Sequence, residues 1–492
     1  MSSFFSSRSL RFWALLVGTY AVLLVVLGFR VYEDAAIPPW VLAEHCPSCF
    51  QKDRFLQEMP AERRLVSFFY APLIDRWEWV FLVHAGVSMI LLAGLWRLAY
   101  LLIGSEGGAW IGVWLILPVL YYHHWGSNEL YYPQLQPSLI AKALGAWLWA
   151  FLLEKKPFQA GVFALLTSAA QPSVGILTWG FSLPLLLYIP RQRILSYLPF
   201  SFGVLAHTLY VLKSNAVPET LRPLWEKVFI EFRMGMHFNP SQFRKSSHFL
   251  FAALWAIGLY VSYKQKHPLL SVFVLYGIGI AAYVINFYTL RWSPLIYSQL
   301  PRSTVWLKPL GVFMALSWAG KWIRLPVLST STAVAGSFLM IWSAFRLSRR
   351  IDQRDYIQVF HLEKSESYQL GSWIRQNLPD TIVLAVPPTE EAVLFYAQRS
   401  GYLWFNAVLR HEDPLLYAQR VRQLYGKDPL KKDTKWEEVQ TEGVEHYEKL
   451  CRERPDSLRA WGITHAVVPS GACMRGAPLW KGERLALYAV GE

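Results

Sequence analysis

Two long runs without a charged side chain constrain this sequence most. FWALLVGTYAVLLVVLGF (12–29) and WVFLVHAGVSMILLAGLW (79–96) each contain no Lys, Arg, Asp or Glu over about 18 residues, the length that a helix needs to cross a bilayer core of ~30 Å. No small-residue cleavage site follows the first run, so we interpret it as an uncleaved span. Hydrophobic residues make up 54% of the chain and charged residues 17%, against about a quarter charged in soluble domains. The sequence therefore predicts a membrane protein.

The remaining apolar segments raise the predicted number of spans to about 11. The pair interrupted by Ala-Gln-Pro-Ser (170–173) is predicted to be two half-helices, because Pro removes a backbone donor and kinks or ends a helix. The further candidate spans are 109–124, 139–154, 158–170, 173–190, 195–213, 248–263, 269–289, 304–323 and 326–346.

The distribution of Lys and Arg in the short loops predicts the topology. Arg8 and Arg11 indicate a cytoplasmic N-terminus, since basic residues favour the inner side. The long loop 33–77 is acidic on balance, and 122–138 has no Lys or Arg, so both are predicted to lie outside; the basic loop 214–247 is accepted there as an exception. The net charge of +14 largely reflects inside-facing loops and does not imply a nucleic-acid partner.

A change in composition near residue 350 divides the chain. Residues 1–349 are predicted to form a polytopic transmembrane domain with the outer loops 33–77 and 214–247. Residues 350–492 alternate helical and strand patterns, such as the strand TIVLAVPP (381–388), and predict a small extracytoplasmic α/β domain with a mainly parallel sheet. This region has no Gly-rich phosphate loop, so we assign it no nucleotide.

The four cysteines fall on the predicted outer side, where disulfides persist. They are Cys46 and Cys49, at C-x-x-C spacing, and Cys451 and Cys473. We expect structural disulfides, with Cys451–Cys473 the natural pair and Cys46–Cys49 either closed on itself or tied elsewhere. Two alternatives stay open for the C-x-x-C pair: a redox motif, and a zinc site that would include His45.

Several short motifs follow one another along the chain in a definite order. An acidic first loop precedes a mid-bundle x-Pro-x-x-Gly at 171–175. An Arg-x-x-x-His-x-x-Pro-Ser segment follows at 233–241, and a Gln-x-Pro-Arg-Ser segment at 299–303. With the C-terminal α/β domain, this order resembles an uncharacterised family of bacterial polytopic membrane proteins. That family in turn resembles the GT-C class of integral-membrane glycosyltransferases.

The resemblance implies a mainly α membrane protein with a GT-C-like bundle in the bacterial inner membrane and a periplasmic C-terminal domain. It also implies transfer of a sugar from a polyprenyl-phosphate-type lipid carrier to an extracytoplasmic acceptor. In such enzymes an acid of the first outer loop serves as base or metal ligand, which leaves a divalent metal open as cofactor; we assign no metal ligands. The implied site residues are Asp34 as base with Glu33 or Asp53 as substitutes, Arg233 and Arg302 for the lipid phosphate, and His237 for orientation or proton transfer.

Other functions remain open at this stage. Gln171 and Met236 stand where the resemblance leads us to expect His, which favours a non-catalytic GT-C-like subunit or scaffold of a larger membrane complex. A transporter ranks third because few charges lie inside the spans, Lys142 and Lys308 being the main exceptions. Membrane lipids, a lipid-linked sugar donor and protein partners are the expected binding partners.

Overall fold

The protein is mainly helical, with 72% helix and a small sheet. The computed structural model describes residues 7–29, 38–56, 59–74, 76–119, 129–243, 245–321, 336, 362–405, 414–431, 434–472, 474 and 476–491. The helices that it describes are, in chain order, α1 (Ser7–Leu27), α2 (Pro38–His45), α3 (Ala61–Tyr70), α4 (Trp77–Ile103), α5 (Glu106–Trp114), α6 (Pro137–Leu153), α7 (Pro157–Ala170), α8 (Pro172–Ser182), α9 (Arg191–Ile194), α10 (Leu198–Ser214), α11 (Arg222–Trp225), α12 (Gly235–Phe238), α13 (Lys245–Lys264), α14 (Leu269–Ile285), α15 (Ser293–Tyr297), α16 (Leu307–Ala319), α17 (Glu366–Asn377), α18 (Ala392–Ala397), α19 (Pro414–Tyr425), α20 (Trp436–Glu453) and α21 (Pro455–Ala460).

The chain forms two compact units. The helical unit comprises Met1–Phe29, Glu78–Leu212 and Met236–Tyr356. The α/β unit comprises Arg30–Trp77, Lys213–Gly235 and Ile357–Glu492. The first long loop and much of the second therefore fold with the C-terminal region, although they are far from it in sequence.

Among the residues that the structure describes, the helical unit contains four helices that are long and apolar enough to cross a membrane. They are Leu10–Leu27, Glu78–Ile103, Ser246–Lys264 and Leu269–Leu290. All but five of the large apolar side chains that are exposed in the described residues also belong to this unit. Soluble monomers seldom expose so much apolar surface, so the outside of this unit suits a lipid environment.

The prediction of about 11 spans is not supported, for reasons of helix length. The segment around 139–154 forms α6, which has 17 residues and rises only about 25 Å. The predicted half-helices are α7 and α8, with 14 and 11 residues, interrupted at Gln171 where Pro172 starts the second helix. Neither can cross ~30 Å alone. The predicted span 326–346 lies outside the described residues except for Gly336.

In the described part of the chain, the α/β unit is built on a five-stranded sheet of order β2-β1-β3-β5-β4. Its strands are β1 (Val383–Ala385), β2 (Ser400–Gly401), β3 (His465–Pro469), β4 (Trp480–Lys481) and β5 (Leu485–Ala489). The pairs β1–β2 and β1–β3 are parallel, whereas β3–β5 and β4–β5 are antiparallel. The sheet is therefore mixed, whereas the sequence predicted a mainly parallel sheet. Strand β4 was missed because a strand of two residues is too short to show an alternating apolar and polar pattern.

Helix α20 shows how the apolar pattern builds the core of this unit. Val439, Gly443, Tyr447, Leu450 and Cys451 recur at intervals of one helical turn and are all buried. The Tyr447 hydroxyl donates a hydrogen bond of 2.9 Å to the Val467 carbonyl of β3. The buried face of α20 thus packs on the centre of the sheet.

The first loop covers the edge of the sheet. Strand β2 lies at one end of the strand order, where exposed backbone groups would invite pairing with another chain. The Ser400 hydroxyl donates to the Cys49 carbonyl at 3.2 Å, and the Gly401 backbone N–H donates to the Asp53 carboxylate at 3.0 Å. These bonds tie the loop to the strand within the α/β unit.

Candidate functional site

A buried lysine marks the candidate site in the helical unit. Lys142 lies on α6 and is fully buried. Its ammonium group donates to the backbone carbonyl of Glu129 and lies 4.3 Å from the centroid of the Tyr132 ring. A buried ammonium group needs such partners, because the transfer of a charge out of water is costly.

Arg302 is presented by a rigid turn. Gln299 adopts a left-handed backbone conformation with φ of 52°, and a 3₁₀ turn follows from Leu300 to Val305. Arg302 Nη1 donates to the Gln299 side-chain oxygen, and the Tyr276 hydroxyl donates to the Ser303 carbonyl at 3.0 Å. The Gln299 side chain thus orients the guanidinium, and Tyr276 holds the backbone of the turn.

Close packing at Gly145 brings this turn towards α6. A Cβ atom at position 145 would lie 2.6 Å from Cζ2 of Trp306, so only glycine allows the indole to pack there. The indole N–H of Trp306 donates to the Thr178 hydroxyl at 2.8 Å, which also ties the turn to α8. Lys142 lies about one helical turn before Gly145 on the same helix.

Three cations and one carboxylate interact in this region. Arg302 and Lys142 repel each other, while the Glu129 carboxylate attracts both Lys142 and Lys308. Lys142 and Lys308 are both fully buried, and Arg302 is half-buried. We call these four residues the cationic cluster. When its three basic groups are protonated, the cluster has more positive than negative charge, so an anion bound there would be stabilised.

An apolar cavity of about 250 Å³ is lined by Pro301, the residue that precedes Arg302 in the chain. Its other lining residues are Pro240, Phe243, His248, Ile280, Tyr283, Val284 and Tyr288. Pro240 belongs to the Arg-x-x-x-His-x-x-Pro-Ser segment and Pro301 to the Gln-x-Pro-Arg-Ser segment. Pro240 and Pro301, which are 61 residues apart in the chain, therefore bring the two motifs to one cavity.

The third motif also reaches Arg302. Ser173, from the x-Pro-x-x-Gly segment, lines a small cleft together with Thr178, Arg302 and Ser303. Gly175 makes this possible, because a Cβ atom there would lie 2.3 Å from the backbone Cα of Ser168. The close approach of α7 and α8 thus accompanies the placement of Ser173 and Arg302 at one cleft.

No protein-family model matches this chain, and no curated protein does. Its function must therefore be inferred from the chemistry of the described residues.

Asp53 has a structural role, in contrast to its predicted use as a substitute base. Its Oδ1 accepts the backbone N–H groups of Phe55 at 2.9 Å and Leu56 at 3.2 Å. Its Oδ2 accepts the Gly401 N–H at 3.0 Å and the Trp404 indole N–H at 2.5 Å. The side chain is fully buried. A carboxylate with four donors and no access to solvent cannot reach an acceptor molecule.

The environment of Asp53 also sets its protonation. Burial raises the pKa of Asp53 to about 6, while the hydrogen bonds from Trp404, Phe55 and Gly401 and the charge of Arg420 act in the opposite direction. The guanidinium of Arg420 lies 5.1 Å from the Phe55 ring centroid and therefore close to this loop.

The other predicted site residues are divided between the two units. Arg233 belongs to the α/β unit, where its charge acts on Tyr417. His237 and Arg302 belong to the helical unit. His237 is half-buried in α12, and the carbonyl of the next residue, Phe238, accepts a hydrogen bond of 2.8 Å from Tyr283. Glu33 and Asp34 lie outside the described residues.

The cysteines follow one of the two predicted arrangements. Cys46 and Cys49 form a disulfide with an S–S distance of 2.02 Å, so this pair is closed on itself. Cys451 is a free thiol, which differs from the predicted pair; its partner, Cys473, lies outside the described residues. Cys451 lies on the buried face of α20, and burial raises the pKa of its thiol to about 12.

A metal at the C-x-x-C pair does not fit this arrangement. Within the described ranges, the one group of His, Cys, Asp and Glu side chains close enough to share an ion is Cys46, Cys49 and Asp380. The two sulfurs are bonded to each other, and zinc binds thiolates. Asp380 instead forms an ion pair of 2.9 Å with Arg399.

Sequence reasoning did not assign Lys142, Lys308 or Glu129 to the site. The signal was present, because charged residues inside apolar helices are commonly functional. Glu129 carried no signal of its own, since its role depends on the fold of the segment before α6.

Proposed function

We propose that this chain is a GT-C-like membrane glycosyltransferase that moves a sugar from a polyprenyl-phosphate-type carrier to an acceptor outside the cytoplasm. The observations that support the proposal are the cationic cluster and an apolar cavity that is lined by Pro301, the residue before Arg302. A lipid phosphate joins an anionic head to a hydrocarbon chain, so its two parts match the two parts of this site.

The head of the carrier would bind at Arg302 and the two lysines. A guanidinium offers two parallel N–H donors to phosphate oxygens, and the ammonium groups add point charges. As the bond between the sugar and the phosphate breaks, negative charge grows on the departing phosphate. The cluster would stabilise that charge more strongly than it stabilises the starting lipid, which is the requirement for catalysis.

The chain of the carrier would occupy the cavity. An apolar cavity of ~150 Å³ is known to hold benzene, so the cavity of about 250 Å³ has room for a segment of an isoprenoid chain. Tyr283, Tyr288 and Phe243 supply most of the aromatic lining.

The proposed location is the bacterial inner membrane, with the N-terminus in the cytoplasm and the α/β unit in the periplasm. The segments predicted to lie outside largely coincide with the three segments of the α/β unit, which supports a shared side. The Cys46–Cys49 disulfide supports an oxidising compartment.

The acceptor would be activated by a carboxylate of the first loop. Asp34 remains the proposed base: it would take the proton of the acceptor hydroxyl as the oxygen attacks the sugar, and the phosphate would leave with the bonding electrons. Asp53 is no longer part of this proposal, because its oxygens hold the loop to β2.

The binding step is tested with purified protein in nanodiscs. Thermal stabilisation is measured with a polyprenyl phosphate and with the matching polyprenol, which lacks the phosphate. The variants are Arg302→Lys, which keeps the charge but loses the bidentate fork, and Lys142→Gln. Lys264→Gln is the matched control, since Lys264 is exposed at the end of α13.

We expect wild type and Lys264→Gln to be stabilised by the phosphate lipid only, and the two cluster variants to lose this effect. Equal binding of phosphate and alcohol, or full binding by both cluster variants, would contradict the proposal. If the protein binds the phosphate lipid but transfers no sugar to any acceptor in a membrane extract, this would favour the alternative, a non-catalytic GT-C-like subunit of a membrane complex.

A further inference from the structure

Helix α3, in the α/β unit, exposes an apolar stripe. Leu65, Phe68 and Phe69 are 50%, 78% and 40% exposed. Because residues three and four apart share one face of a helix, the three side chains form a single patch. Arg64 is exposed beside them.

The opposite face of α3 is already committed to the α/β unit. Ala61, Val66 and Tyr70 are buried, and the Asn215 side chain donates to the Glu62 carboxylate, which connects the helix to the second loop. The exposed stripe is therefore not a face that this unit buries in its own core.

The patch is unusual within its unit. Among the described residues of the α/β unit, the other large exposed apolar side chains are Leu415 and Leu479, which lie on distant parts of the chain. Isolated exposed apolar residues are normal, whereas a contiguous group marks an interaction surface.

We infer that α3 lies in the membrane interface, with the apolar stripe among the acyl chains and Arg64 at the lipid phosphates. Only seven residues separate Tyr70 from the candidate span Glu78–Ile103, so the chain holds α3 near the membrane surface. A short helix with aromatic and aliphatic residues on one face and a basic residue at its edge binds bilayers in this way. The inference rests on the membrane location and not on the proposed transferase activity.

Spin labels measure the depth of this stripe directly. Phe68→Cys is labelled in a chain whose Cys451 and Cys473 are replaced by Ser, and the protein is placed in nanodiscs that contain anionic lipid. Collisions with oxygen, which dissolves in hydrocarbon, are compared with collisions with a water-soluble nickel chelate. Leu65→Cys repeats the measurement at a second site of the stripe.

Two control positions separate this inference from the membrane location itself. Ile90→Cys lies on a candidate span at a position 45% exposed, and it should contact lipid in any membrane-inserted form. Glu453→Cys lies at the exposed end of α20 and should contact water.

We expect the labels at 65 and 68 to collide mainly with oxygen, like the label at 90, and the label at 453 to collide mainly with nickel. Collisions mainly with nickel at 65 and 68 would overturn the inference. Protection from both reagents would also overturn it, because it would indicate a protein partner on α3. If the label at 90 also met mainly nickel, the membrane location itself would fail.

Discussion

Replacement of Asp53 by Asn gives the sharpest test of the role that the structure assigns to this carboxylate. The change keeps the size of the side chain and replaces one acceptor oxygen by an NH₂ donor. Each carboxylate oxygen accepts two hydrogen bonds, from Phe55 and Leu56 at Oδ1 and from Gly401 and Trp404 at Oδ2. Whichever way the amide turns, two buried N–H groups face a donor.

The size of the effect follows from these two donors. A buried donor that loses its acceptor costs about 1–3 kcal/mol. The neutral amide avoids the burial of a charge, which offsets part of this loss, so we expect a net destabilisation of about 2–4 kcal/mol for two donors. For a unit of this size that corresponds to a fall in Tm of roughly 5–15 °C.

Thermal unfolding of the purified protein, followed by tryptophan fluorescence, measures this change. Asp456→Asn is the control, because Asp456 is exposed at the start of α21 and the same chemical change there should cost no more than about 0.5 kcal/mol. An Asp53→Asn protein with the Tm of wild type would refute the structural role. If that protein also lost transferase activity, Asp53 would be the base after all.

Three further predictions concern protonation, thiols and packing. Because burial raises the pKa of Asp53 from 3.8 to about 6, its protonated form stabilises the fold fully below about pH 4, and this contribution is lost as the pH rises through 6. The free energy of unfolding of wild type relative to Asp53→Asn should thus fall between pH 4 and 7, by an amount on the order of 3 kcal/mol; a difference that does not change with pH would contradict this. The buried thiol of Cys451 should resist alkylation in the folded protein and react after denaturation, with the remaining C-x-x-C pair oxidised in mass spectra; rapid native labelling would show that it is accessible. Gly145→Ala should destabilise the helical unit by about 1–3 kcal/mol through overpacking, whereas Gly86→Ala, which meets no atom within 4 Å, should be neutral or stabilising; equal effects would refute the packing argument.

Local sequence patterns predicted several elements correctly. The runs at 12–29 and 79–96 became long apolar helices, since a charge-free run of this length suits the interior of a bilayer and leaves its backbone groups to bond within the helix. The strand TIVLAVPP contains β1. Pro172 was correctly placed at a break between two helices. Each of these properties depends on neighbours within a few residues.

The sequence by itself determined that the chain has apolar helices, an α/β region and basic residues within the helices. Only the tertiary structure decided which residues act together. Asp53 was an acidic loop residue in the sequence, and its role changed because Gly401, 348 residues away, donates to it. Lys142 and Arg302 interact electrostatically because the turn that carries Arg302 lies near α6, where Gly145 allows Trp306 to pack. Helical and strand patterns are local and are written in the sequence, whereas burial and electrostatic partners depend on contacts between distant segments, which exist only after the chain has folded.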